Sequence, residues 1–307
     1  MQVILAKPRG FCAGVERAIQ IVEQALEKFG APIYVRHEIV HNKYVVDNLR
    51  NKGVIFVDEI SQIPTGSTTI FSAHGVSQKV EEDAKERGLY SIDATCPLVT
   101  KVHKEAQRSE DDGRQIILIG HNGHPEVEGT SGRVKNEVIL VESLSDVENI
   151  TVANENKLAY VTQTTLSVDD TKLIISALKR RFPSIIGPDL KDICYATQNR
   201  QNAVRKLAQM ADLILVIGAS NSSNSNRLRD LAKEIGTTSY LISSPEEIEP
   251  DWLKNVNTIG ITAGASAPEI LIDNSIDYLK SLYNDIKVST MDGIEENVKF
   301  KLPIELC

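Results

Sequence analysis

Three cysteines, each opening one copy of a repeated pattern, constrain the fold of this chain more than any other feature. After Cys12 comes a stretch from Ala13 to Phe29 with Val15, Ala18, Ile19, Val22 and Leu26 at helical spacing. Gly30, the strand-like Ile33-Tyr34-Val35 and a loop carrying His41 follow. After Cys96 come Val99 to Gln107, Gly113, the strand-like run Ile116 to Ile119 and the loop Gly120-His121-Asn122-Gly123-His124. After Cys194 come Val204 to Met210, the strand-like run Leu213 to Ile217 and the polar loop Gly218 to Asn224. His41, His124 and Ser222 follow their cysteines by 29, 28 and 28 residues. Spacing this regular marks one supersecondary unit used three times.

Each copy continues with a second helix and strand, seen as Val45 to Arg50 before Val54 to Val57, and as Leu228 to Ile235 before Tyr240 to Ile242. A third strand then ends in another polar loop: Ile70 to Gly75, Ala159 to Thr165, and Ile259 to Ser266. Strands alternating with helices predict parallel α/β layers, and such layers collect ligands at the carboxyl ends of their strands. The expected fold is therefore α/β, with three small units related by a pseudo-threefold axis. Their mostly parallel sheets aim one cysteine and two polar loops each at a common centre. The units are expected at 1–95, 96–193 and 194–286, with a tail at 287–307. In that tail the alternation Val298-Lys299-Phe300-Lys301-Leu302 predicts an added strand.

Each cysteine precedes a predicted helix, whose dipole favours thiolate. Thiolates select zinc, copper(I) or iron–sulfur clusters over hard cations. Structural zinc usually takes four ligands at short spacing, and no Cys-x-x-Cys pair occurs. Three thiolates with one position left open suit a cubane cluster whose fourth iron binds substrate. A single buried cysteine reads as readily as a small hydrophobe, a reading that recurrence in three copies weakens. Cys307 lies outside the repeat, on a terminus poorly suited to anchor a ligand.

Composition narrows the ligands. A net charge of −8 and a pI near 5.4 argue against wholesale nucleic-acid binding, so any anion must be held locally. Apolar runs of four to six residues fall short of the roughly 18 to 20 that cross a bilayer. The opening Met1 to Ala6 lacks the parts of a signal peptide, which predicts a cytoplasmic protein whose cysteines form no disulfide framework.

His41, His74 and His124 follow strands, and Ser222, Ser223, Asn224 and Ser266 hold related places in the third copy. Such donors, with backbone N–H groups at helix starts, suit a diphosphate. The run 221–226 reads also as a polar turn capping a helix that starts near Arg227. The glycine-rich Lys-Ser/Thr loop of nucleoside triphosphate enzymes is absent. His37, His103 and His121 read as structural or surface residues. Glu126, beside His124, suits proton relay through the hydroxyls of Thr164 and Thr165. Its commoner use is to complement a helix dipole, and the residues alone leave both open.

These residues fall in specific motifs: Pro8-Arg9-Gly10-Phe11-Cys12-Ala13-Gly14-Val15, Val40-His41-Asn42, Ser72-Ala73-His74-Gly75-Val76, Asp93-Ala94-Thr95-Cys96-Pro97-Leu98-Val99, Gly123-His124-Pro125-Glu126-Val127, Thr162-Gln163-Thr164-Thr165, Asp192-Ile193-Cys194-Tyr195-Ala196-Thr197 and Asn221 to Leu228. Over nearly its whole length the chain resembles the 4-hydroxy-3-methylbut-2-enyl diphosphate reductase (IspH or LytB) family, with no departure at a motif position. The resemblance implies a trefoil around a [4Fe–4S] cluster held by Cys12, Cys96 and Cys194. It implies that His41, His74, His124, Ser222, Ser223, Asn224 and Ser266 bind the diphosphate. It also implies that the substrate hydroxyl meets the open iron, with Thr164 holding that hydroxyl and Glu126 delivering protons. The implied reaction is reductive dehydroxylation to isopentenyl and dimethylallyl diphosphate, the last step of the methylerythritol phosphate pathway. Reduced ferredoxin or flavodoxin is the implied electron donor. For its docking, Lys179-Arg180-Arg181 is a weak candidate that reads more readily as a solvated helix end. The rival readings are a zinc hydrolase and a non-catalytic iron–sulfur sensor.

Overall fold

A computed structural model describes residues 1–306; Cys307, and the expectation attached to it, lies outside the described residues. The chain runs β1 (Gln2–Leu5), α1 (Ala13–Phe29), β2 (Ile33–Arg36), α2 (Lys43–Asn51), β3 (Val54–Val57), β4 (Thr68–Phe71), α3 (Gln78–Glu86) and β5 (Tyr90–Asp93). It continues with α4 (Pro97–Asp111), β6 (Gln115–Ile119), α5 (Pro125–Ser131), β7 (Ile139–Val141), α6 (Leu144–Asn149), β8 (Leu158–Thr162) and α7 (Val168–Arg181). The last third comprises α8 (Tyr195–Leu207), β9 (Leu213–Ile217), α9 (Ser223–Glu234), β10 (Thr238–Ile242), β11 (Thr258–Ala263), α10 (Glu269–Leu282) and β12 (Lys287–Thr290). Among the described residues no helix is long and apolar enough to cross a membrane.

The expected α/β class with parallel sheets holds. One compact unit comprises residues 1–16, 41–47 and 195–299, and carries a five-stranded sheet in the order β10-β9-β11-β1-β12. Every pairing in it is parallel, with Val3 opposite Ile259 on one side and Val288 on the other. Its apolar cover lies on both faces. Val3, Leu215 and Ile261 join one cluster, and Ile4, Ile214 and Val216 another. A parallel strand covered on both sides needs no polar alternation, which is why β9 is an unbroken Leu-Ile-Leu-Val-Ile with all five residues buried. Each such side chain contributes roughly 1.5–3 kcal/mol.

The second unit, residues 17–40, 48–194 and 300 onward, carries two further parallel sheets, β3-β2-β4-β5 and β7-β6-β8. A bridge between Ala159 and Ile186 extends the latter by one position beyond β8. Within α1 the buried face is Ala18, Ile21, Val22 and Ala25, one position round from the predicted stripe, and Gly30 ends the helix at φ +75°.

The tail corrects one expectation. Residues 298–302 form no strand; the added strand is β12, at Lys287–Thr290. The edge of β1 is taken by β12 soon after the chain leaves α10, and residues 298–302 pair with no strand. Val298 is exposed, and the Lys301 carbonyl accepts from Arg17 Nε at 2.7 Å instead.

Candidate active site

One backbone contact recurs in all three copies. The carbonyl two residues past the end of β4, β8 and β11 accepts the amide of a cysteine. Cys96 N–H donates to Ala73 at 3.0 Å, Cys194 to Thr164 at 3.1 Å and Cys12 to Ala265 at 3.2 Å. Each cysteine directly precedes a helix: α1 for Cys12, α4 for Cys96 and α8 for Cys194. All three are half-buried thiols outside any disulfide. Soft donors presented singly at helix starts fit a cubane, which takes one thiolate per iron. Among the described residues no group of three or more His, Cys, Asp and Glu side chains is arranged to hold a single metal ion.

In the unit of Cys12, the residues before that cysteine are held by Arg200, which is fully buried. Its guanidinium donates to the Gly10 carbonyl at 3.1 and 2.6 Å, to the Phe11 carbonyl at 3.3 Å and to Glu296 at 3.2 Å. The Tyr195 hydroxyl accepts from Ala13 N–H at 3.4 Å; burial first, then the charge of Cys12, pushes that phenol up to about 12. Ser266 donates to the His41 carbonyl at 2.9 Å, and the Asn221 amide nitrogen lies 3.3 Å from His41 Nδ1.

Within the run 221–226, Asn221 lies in a turn, Ser222 is the cap and the rest is helix. The helix starts at Ser223, four residues before the predicted Arg227, because the Ser222 hydroxyl caps it by accepting from Ser225 N–H at 3.3 Å. Ser225 is wedged against the ends of β9 and β11. A Cβ on Gly218 or Gly264 would stand 2.2 or 2.0 Å from its hydroxyl, so neither position admits a side chain. Asn224, next to it, is only 4% exposed, yet neither its amide oxygen nor its amide nitrogen has a hydrogen-bond partner. An unsatisfied buried amide costs about 1–3 kcal/mol, a cost that a polar ligand relieves.

In the unit of Cys96 and Cys194, Ser72 Oγ lies 3.3 Å from His74 Nδ1, and the rings of His74 and His124 meet edge to face at 6.0 Å. His124 caps α5, its Nδ1 accepting from Glu126 N–H at 3.1 Å. In the neutral ring the proton is therefore on Nε2, which becomes a donor. Glu126 is 6% exposed, and its carboxylate accepts from Thr164 N–H at 2.9 Å and from the Thr164 hydroxyl at 2.9 and 3.0 Å. Thr165 instead accepts from the Gln163 amide at 2.8 Å.

Arg200 and Glu296 carried no sequence signal, and Asp192 and His103 carried none for a role in the site. Arg200 and Glu296 meet across 96 residues of chain. Asp192, two residues before Cys194, accepts from Thr162 N–H at 3.2 Å and from Lys101 at 3.1 Å; burial pushes its carboxyl up against the opposing pull of Lys101. His103 is buried with Nε2 unpartnered, and desolvation lowers its pKa to about 4. Its Cε1 would lie 2.6 Å from a Cβ on Gly75, whose φ is +81°. Of the other two histidines read as structural or surface, His37 is half-buried at φ 59° and His121 is exposed. Two residues of the basic triplet ending α7 are engaged locally. Lys179 pairs with Asp189 at 2.5 Å, and Arg181 donates to the carbonyls of Val147 and Ile150.

A family model described as LytB protein matches residues 3–280. The chain is 60% identical over 307 residues to 4-hydroxy-3-methylbut-2-enyl diphosphate reductase 2 of Bradyrhizobium diazoefficiens, covering 100% of this chain and 99% of the relative. It is 58% identical over 309 residues to the corresponding reductase of Methylococcus capsulatus, covering 100% and 98%. The solved E-1-hydroxy-2-methyl-but-2-enyl-4-diphosphate reductase of Plasmodium falciparum superposes with a TM-score of 0.95 at 42% identity, covering 99% of this chain and 96% of that one.

Proposed function

The chain belongs to the LytB family, and from that premise we infer that it reductively removes the hydroxyl of 4-hydroxy-3-methylbut-2-enyl diphosphate, giving isopentenyl and dimethylallyl diphosphate. Each turnover consumes two electrons and two protons and releases one water. Cys12, Cys96 and Cys194 are the proposed ligands of a [4Fe–4S] cluster at the centre of a trefoil, within a reducing cytoplasm. When bound, that cluster supplies the electrons and a Lewis-acidic iron for the C–O bond.

The chain's own residues do the rest. His41, His74, His124, Ser222, Ser223, Asn224 and Ser266 grip the diphosphate through neutral or singly charged donors. The unsatisfied amide of Asn224 and the Nε2–H of His124 supply two of these contacts. Thr164 holds the substrate hydroxyl. With Glu126 ionised, the Thr164 hydroxyl donates to the carboxylate. With Glu126 protonated, the same bond reverses and the Thr164 proton is released toward the leaving hydroxyl. The observation that carries this reading is the double engagement of Thr164. Its side chain and N–H meet Glu126, while its carbonyl holds the amide of Cys194, so one residue ties the proposed acid to a proposed ligand.

The test is anaerobic reconstitution with iron and sulfide, followed by turnover with the allylic diphosphate and a chemical reductant. About four irons per chain and turnover are expected, with Cys12→Ser, Cys96→Ser or Cys194→Ser losing the cluster and Cys307→Ser keeping it. A colourless zinc protein, or a cluster without turnover, refutes the reading. Reduced ferredoxin or flavodoxin is the proposed physiological donor.

A further inference from the structure

Along α4, the helix that Cys96 opens, lies a cavity of about 710 Å³. Thr95 and Pro97, the two neighbours of Cys96, line it. So do four cations, Arg17, Lys101, Lys104 and Arg108, against two acids, Asp93 and Glu105. This excess of positive charge stands on a chain whose net charge is −8. Two of the cations hold the fold together. Arg17 donates to the Thr95 carbonyl at 3.1 Å, and Lys101 pairs with Asp192. Lys104 and Arg108 are exposed. They are one helical turn apart, about 6 Å along the axis, and about 12 and 18 Å from Cys96 at 1.5 Å per residue. Cations strung out in this way suit a row of carboxylates on a partner surface better than one small anion.

We propose that this cavity is the docking surface of the electron donor, an acidic one-electron carrier protein whose carboxylates meet Lys104 and Arg108 at the flank of Cys96. The proposal rests on the reductase reading above. Each docking oxidises the carrier by one electron and reduces the enzyme by one. Two dockings therefore supply the two electrons of a turnover, while the protons come from solvent through Glu126. Opposite charge at the rim of such a contact raises the association rate and makes it salt-dependent.

The test compares the wild-type chain with Lys104→Glu/Arg108→Glu, using reduced ferredoxin or dithionite as electron source. The double variant is expected to raise the KM for ferredoxin about tenfold or more and to flatten its salt dependence, with dithionite-driven turnover unchanged. Binding of oxidised ferredoxin to the cluster-free chain should weaken in parallel. Lys104→Gln/Arg108→Gln should give a smaller effect of the same sign. An unchanged ferredoxin KM and affinity overturns the proposal. So does an equal loss in Lys172→Glu/Arg180→Glu, which makes the same charge change on α7. Failure of the reductase reading shows separately, as absence of dithionite-driven turnover in the wild-type chain, and the binding arm still decides the docking surface.

Discussion

Replacing Glu126 by Gln separates proton delivery from structure, because the two effects differ in size and in observable. The carboxylate accepts from Thr164 N–H and from its hydroxyl. In the variant the amide oxygen still accepts from the N–H, and the amide nitrogen donates to the hydroxyl, so both contacts survive as neutral bonds. A hydrogen bond to a charged group is worth about 1.5–3 kcal/mol and a neutral one about 0.5–1.5. The loss over the two bonds is thus about 2–3 kcal/mol, partly offset because a charge no longer has to be buried. Stability should change by less than about 2 kcal/mol. Turnover, by contrast, should fall about 10²–10⁴-fold, a barrier increase of roughly 3–5 kcal/mol. Iron content, affinity for inorganic diphosphate, urea unfolding and turnover with dithionite should be measured on one preparation. Glu126→Ala provides the contrast, since it strands two buried Thr164 donors and should lose stability as well. Turnover within about threefold of wild type in Glu126→Gln, with the cluster intact, would refute the proton-delivery argument.

Three further outcomes are expected. Asn224→Leu removes a buried amide that has no partner in the unliganded chain, so thermal stability should hold or rise while calorimetric affinity for inorganic diphosphate falls about tenfold; an unchanged affinity sinks its ligand role. Arg200→Met takes the guanidinium from the carbonyls of Gly10 and Phe11 and the charged partner from Glu296, to which the Asn199 amide still donates, and should cost about 3 kcal/mol in urea unfolding; a cost below about 1 would show that the network is dispensable. His103, held neutral in the fold with a pKa near 4 against 6.5 unfolded, contributes stability that is present above pH 6.5 and lost as pH falls toward 4. The loss amounts to roughly 3 kcal/mol, and His103→Gln should flatten the stability profile in that window.

The regular elements were legible because their signals are local. A two-sided parallel strand writes itself as an apolar run, as in β9, and an amphipathic helix as a spaced stripe, as in α1. The cysteines were legible through equal spacing. The start of α9 was misread because Ser and Asn are weak helix formers, and the cap that decides the matter is a single hydroxyl bond. The tail alternation misled because period two shows only that a segment can pair, and the segment that pairs with β1 is β12. Arg200 was invisible. Nothing separates it in sequence from Arg205 or Lys206, and its meaning comes from a glutamate 96 residues away.

The pairing of β1 with β11 also bears on how the protein is made. The strand leading to Cys12 is synthesised about 250 residues before the strand it pairs with. At about 5–20 residues per second, a ribosome takes roughly 12–50 s to cover that interval. Cys96 and Cys194, once made, already have their acceptor carbonyls, from Ala73 and Thr164, upstream in the emerging chain. Cys12 must wait for Ala265. Assembly of the proposed cluster is thereby deferred until nearly the whole polypeptide has emerged, and a chain arrested before residue 258 should present two ordered cysteines and one that is not.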